Sequence, residues 1–108
     1  MAGIPAVVLA GPNTGSAAED FLVMLRQLPD RKIPVIGMHT FGSTGQPLPI
    51  ELPGGGSARI CTKRDTYADG TDFVGIGIVP DFEIISTVDD LLYGKDSALE
   101  EALEILQK

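Results

Sequence analysis

The residues able to do chemistry gather in two short loops. The first is Gly11-Pro12-Asn13-Thr14-Gly15, which ends at Ser16 and lies between an apolar run and an amphipathic pattern. A serine that opens a helix places its hydroxyl beside backbone N–H groups with no helical partner and a partial positive charge. The hydroxyl can attack while the next amide stabilises an oxyanion, which is the geometry acyl transfer needs. The same residue types also make a capping box, Ser16 with Glu19, so attack and capping both stay open here. The glycines fit neither the Walker spacing nor the dinucleotide fingerprint, and no lysine follows Gly15.

The second loop runs from Met38 to Gln46. It carries His39, the single histidine, just past a predicted strand, where carboxyl ends of sheets often build sites. Gly42-Ser43-Thr44-Gly45 has the composition of an anion nest and equally of a plain glycine turn. Asp65, Asp69, Gly70 and Asp72 fail as a calcium loop, because Tyr67 and Ile76 occupy ligand positions. They read as turn residues. Cys61 is the only cysteine, which excludes an intramolecular disulfide and a cysteine metal cluster. No metal or cofactor is expected.

These loops need a scaffold. Ala6 to Ala10 is a short apolar run that predicts a buried strand. A helix follows, with Ala17, Phe21, Met24, Leu25 and Leu28 at spacings of three and four, ending at Pro29-Asp30. Pro34 to Gly37 predicts a second strand, parallel to the first through a crossover. Leu48 to Leu52 reads as an edge strand, Pro53 to Ser57 as a hairpin loop and Ala58 to Lys63 as the returning strand. Phe73 to Ile78 reads as a glycine-interrupted strand with close backbone approach, and Phe82 to Ile85 as a last extended piece. Thr87 to Tyr93 adds a helical turn. Ser97 to Gln107 predicts a helix with Ser97 and Glu100 as its capping box and Ala98, Leu99, Ala102, Leu103 and Leu106 on one face. The class is α/β.

The length of 108 residues suits one domain. Eight basic and 15 acidic side chains leave a net charge of −7. That balance argues against nucleic acid, whose binding rests on basic neutralisation, and against anionic membranes. The longest apolar run, Ile4 to Ala10, is too short to span a bilayer.

The ordered set of motifs resembles the tail-specific, or C-terminal processing, serine peptidase family. The matching segments are Val7-Val8-Leu9 leading to Gly15-Ser16-Ala17-Ala18-Glu19, Val35-Ile36-Gly37 and Thr40-Phe41-Gly42. Leu52-Pro53-Gly54-Gly55, Gly75-Ile76-Gly77-Ile78-Val79-Pro80-Asp81 and the acidic helix around Leu99 to Leu106 follow in order. The resemblance implies a ClpP/crotonase-like spiral of strand–strand–helix units, of which residues 1–108 form the C-terminal portion of the catalytic domain. The N-terminal half and any PDZ domain are then expected to lie outside. It implies Ser16 as nucleophile and the Ala17 N–H as one oxyanion donor. The best-known branch has a lysine base directly after Thr-Phe-Gly, where this sequence has Ser43. The family's supporting acidic residue falls near Gln27, with Asp30 shifted. A tricorn-like branch, which also lacks the lysine, draws a histidine base from an earlier segment. The base is then expected in the missing half, with His39 as a local candidate.

The expected function is that of a serine-type endopeptidase acting on protein or peptide substrates, with the isolated fragment inactive. The alternative is a non-catalytic peptidase-like module that binds extended peptides, for instance along Leu48 to Leu52. By resemblance the location is outside the cytoplasm, in the periplasm or cell envelope. A fragment of this kind leaves apolar surface uncovered, so sedimentation should detect a homodimer across that face.

Overall fold

The computed structural model describes residues 3–30 and 33–108. Three short strands, β1 (Val8–Ala10), β2 (Val35–Gly37) and β5 (Phe82–Glu83), form a parallel sheet in the order β1-β2-β5. The helix α1 (Ala17–Arg26) joins β1 to β2. A separate antiparallel hairpin, β3 (Pro47–Leu52) with β4 (Gly56–Cys61), stands between β2 and β5 in sequence. Two helices, α2 (Val88–Tyr93) and α3 (Ser97–Gln107), close the chain.

The central strand is the dry part of the molecule. Val35 and Ile36 have no exposed surface. Val35 faces Leu22, Val23 and Leu25 of α1 with Phe73 and Ile78, and Val8, Ala10, Ile33 and Tyr67 fill in around them. The side-chain alternation of a strand turns Ile36 to the other side, where α3 lies against β1 and β2 and buries Ala102. The Asp81 carboxylate accepts from the Val35 N–H at 2.7 Å, and the Asp81 N–H donates to the Val35 carbonyl at 2.8 Å. This reciprocal pair sets the register of β5. At the far end of α1 the Arg26 guanidinium lies 5.9 Å over the Tyr67 ring and donates to the Val79 carbonyl.

Four sequence expectations need correction. First, α1 buries Glu19, Leu22, Val23 and Leu25, whereas Phe21, Met24 and Leu28 are exposed on the opposite side. Apolar periodicity selected the wrong face because the buried face includes a carboxylate. Second, Phe73 to Ile78 is no strand; it turns at 74–76, with Gly75 and Gly77 both at positive φ. The close backbone approach expected there is present. A Cβ on Gly77 would stand 2.4 Å from the Thr40 carbonyl oxygen, and one on Gly42 would stand 2.7 Å from the Gly77 nitrogen. Third, α3 is capped by Asp96, which accepts from the Leu99 N–H at 3.0 Å, so Ser97 is already inside the helix. Fourth, β1 is only half-buried, because it is an edge of the sheet and Leu9 lies 43% exposed.

The expected strand pairing of β1 and β2 and the hairpin are present. The second helical turn is α2, capped by Thr87. No helix among the described residues is long and apolar enough to cross a membrane. The radius of gyration is 17.3 Å over extents of 58 × 40 × 25 Å. A compact domain of this length has about 13 Å. The difference matches the exposed apolar side chains on α1, α2, α3 and the hairpin.

Gly70 and Gly77 both have φ near +85°, but Gly70 faces open space. Gly77→Ala should therefore lower the unfolding free energy further than Gly70→Ala, with strain alone accounting for about 1–3 kcal/mol. Urea unfolding of the two variants checks the difference.

Candidate functional site

β1 ends at Ala10, and the chain turns through Gly11 and Thr14, where the Gly11 N–H donates to Thr14 Oγ1 at 3.1 Å and the Thr14 N–H to the Gly11 carbonyl at 2.8 Å. The turn delivers Ser16 to the start of α1 with φ 56° and ψ −127°. Among the described residues it is the one non-glycine at positive φ. Those angles belong to the first central position of a II′ turn, normally a glycine position. A serine held there is strained, and such strain persists only where its surroundings over-determine it.

The surroundings here are one carboxylate. Glu19 is fully buried. Its Oε1 accepts from the Thr40 hydroxyl and from the Gly42 N–H at 2.7 Å. Its Oε2 accepts from the Ser43 N–H at 2.9 Å and the Ser16 N–H at 3.2 Å. The Ser16 N–H also donates to the Ser43 carbonyl at 2.7 Å. A buried charge costs several kcal/mol unless donors surround it, and here three amides and a hydroxyl do so. Thr40 passes the link on, because its Oγ1 accepts from the Ile78 N–H at 2.7 Å. Asp20, one residue along α1, accepts from the Thr44 hydroxyl at 3.0 Å. Two backbone bonds complete the joint: Phe41 N–H to the Thr14 carbonyl at 2.8 Å and Gly75 N–H to the Gly42 carbonyl at 2.6 Å.

Ser16 and Glu19 take capping-box positions: Glu19 accepts the Ser16 N–H at 3.2 Å, and the Glu19 N–H, which the Ser16 side chain faces, donates to the Ser16 carbonyl at 2.8 Å. Ser16 and Ala17 are exposed. The Ala17 N–H finds no acceptor among the described residues, as expected for a first-turn amide.

The other sequence candidates fall in different places. Ser43 is joined to Ser16 through its backbone, and its exposed side chain lies on the same joint. His39 follows β2 and stands with Nε2 3.5 Å from Glu83 Oε1, both side chains about half exposed. No hydrogen bond joins it to Ser16. Gln27 is the C-cap of α1, and Asp30 is exposed beyond it. A hollow of about 600 Å³ lined by Val23, Arg26, Gln27, Tyr67 and Thr71 includes none of the nucleophile or base candidates. Sequence reasoning missed Glu19 and Thr40 as the parts that hold the loops together. The available signal was an acidic residue three positions after a helix-opening serine, opposite the helix's apolar stripe.

Glu19→Gln leaves a donor facing donors. It should lower stability by about 1.5–3 kcal/mol, the range for hydrogen bonds to a charged group. It should also move the amide resonances of Ser16, Gly42 and Ser43 more than those of the hairpin, which heteronuclear NMR checks.

Residues 2–84 match the model of peptidase family S41. A candidate peptidase from Parabacteroides merdae is 32% identical and superposes with a TM-score of 0.80 over 96% of this chain and 32% of its own. The photosystem II D1 C-terminal processing protease is 28% identical, with a TM-score of 0.60 over 74% of this chain and 20% of its own. The tricorn protease, at 23% identity, shares the fold with a TM-score of 0.72 over 96% of this chain and 11% of its own. No curated protein matches. The chain thus spans about a third of the length of the first of these relatives. Its match over most of its residues makes this chain a member of peptidase family S41.

Proposed function

We propose that the chain is the serine-bearing segment of a longer peptidase domain that hydrolyses peptide bonds, with Ser16 as nucleophile. The observation that carries this reading is the backbone of Ser16, an exposed serine held at φ 56° at the head of α1. Ser16 Oγ attacks the carbonyl carbon of a peptide and its proton passes to a base. The Ala17 N–H donates to the resulting oxyanion. Collapse breaks the C–N bond, and the amine leaves with the proton from the base. Water then releases the acyl group by the same steps.

A serine hydroxyl attacks only with a base within about 2.6–3.2 Å. Among the described residues no side chain hydrogen-bonds Ser16 Oγ, and His39 is turned to Glu83. Ser43, where a lysine serves in the resembling branch, has no proton-accepting amine. In this reading the base comes from outside the described residues, as does a second oxyanion donor, whose loss alone costs about 10²–10³ in rate. The exposed apolar surfaces of α1 and α3 are consistent with cover from the rest of such a domain.

Fluorophosphonate labelling tests the assignment. The full-length protein should label at Ser16 and lose both label and peptide hydrolysis in Ser16→Ala, while the 108 residues alone do neither. Undiminished labelling of the Ser16→Ala protein overturns the nucleophile. Ser16-dependent cleavage by the isolated chain overturns the claim that the base lies elsewhere.

A further inference from the structure

The β3–β4 hairpin takes no part in the joint around Ser16, and among the described strands and helices its two strands pack chiefly on each other. Its ladder determines which backbone groups are free. The Thr62 N–H donates to the Gln46 carbonyl at 3.3 Å. From that pair, hydrogen-bonded and non-hydrogen-bonded pairs alternate along an antiparallel ladder. Leu48–Ile60, Ile50–Ala58 and Leu52–Gly56 therefore turn their backbone groups toward each other. Pro47, Pro49 and Glu51 on one strand, and Ser57, Arg59 and Cys61 on the other, turn theirs outward.

The two outer edges differ in consequence. On β3 the two prolines have no N–H, so Glu51 is the only outward donor. Such an edge resists pairing. This disfavours Leu48 to Leu52 as a peptide-pairing strand. On β4 all three outward positions keep both donor and acceptor, and among the described residues β4 has no second strand beside it.

Side chains add a selection rule. Leu48, Ile50, Leu52, Ala58 and Ile60 share one face, with Leu48 and Ile60 each 54% exposed. Arg59 points to the other face, exposed, and makes no ion pair or hydrogen bond among the described residues. The neighbouring cations are already paired, Lys63 with Asp65 at 2.5 Å and Arg64 with Asp72 at 2.8 Å.

We infer that the β4 edge binds, in trans, an extended polypeptide strand in which apolar and acidic residues alternate. Its backbone pairs with Ser57, Arg59 and Cys61. Its acidic residue stands opposite Arg59, and its apolar residues continue the Ala58–Ile60 face. A second copy of the chain fits this edge poorly. Two-fold pairing of β4 in full register sets Arg59 against its own copy, and directly opposed like charges destabilise a ladder. The inference does not depend on the chemistry assigned to Ser16.

Fluorescence anisotropy with labelled seven-residue peptides tests it on the whole chain, one peptide alternating valine with glutamate and the other valine with lysine. The glutamate peptide should bind saturably and at least tenfold more tightly than the lysine peptide. Arg59→Glu, an exposed change, should reverse that order. Hydrogen exchange should show protection of the Ser57, Arg59 and Cys61 amides only with the glutamate peptide present. Absence of binding, equal affinity for the two peptides, or an order unchanged by Arg59→Glu overturns the proposal. So does protection of those amides without peptide, which would mean that a strand of the same or a second polypeptide already occupies the edge.

Discussion

A carboxylate with no exposed surface holds this structure together. Glu19 receives hydrogen bonds from Ser16, Gly42, Ser43 and Thr40, groups far apart in sequence that it brings to one point. Removing a charge from water costs so much that the carboxylate must be surrounded by donors or stay outside. The requirement reaches well past the carboxylate itself. It rotates α1 so that Leu22 and Val23 follow Glu19 inward, and it leaves Phe21 and Met24 on the outer side. It also pins the loop after β2 against the helix start, so the two candidate loops become one joint.

The joint depends on glycine as much as on charge. Gly42 and Gly77 approach backbone atoms so closely that a methyl group on either would collide with the facing chain. Their contact lets Thr40 bridge from Glu19 to the Ile78 amide and lets Gly75 reach the Gly42 carbonyl. Ser16 is the strained member of the assembly. Its amide is held twice, by the Ser43 carbonyl and by Glu19, which keeps its backbone at glycine-like angles.

Away from this joint the packing thins out. The dry core is the single strand β2 with a few side chains on either side, and α2, the outer face of α1 and the hairpin keep large apolar side chains in the open. A two-stranded hairpin has little stability of its own in water. The blunted edge of β3 beside the open edge of β4 indicates that its exposure is directional. The expanded radius of gyration has the same origin, since the apolar surface present exceeds what so few elements can bury.

The sequence by itself determined much of the local structure, though neither the turn at 74–76 nor the Asp96 cap. Apolar runs located β1 and β2, Pro53-Gly54-Gly55 marked the hairpin turn, and Gly75 and Gly77 announced close backbone approach. It also singled out Ser16, because a serine after a glycine turn at the head of a helix is a short-range pattern. Tertiary structure alone decided which face of α1 turned inward and that Glu19 gathered the loops. Local patterns record the preferences of neighbours in sequence. Burial of Glu19 depends on donors more than twenty positions away, and no count of apolar spacing can register a favourable contact made by a charge.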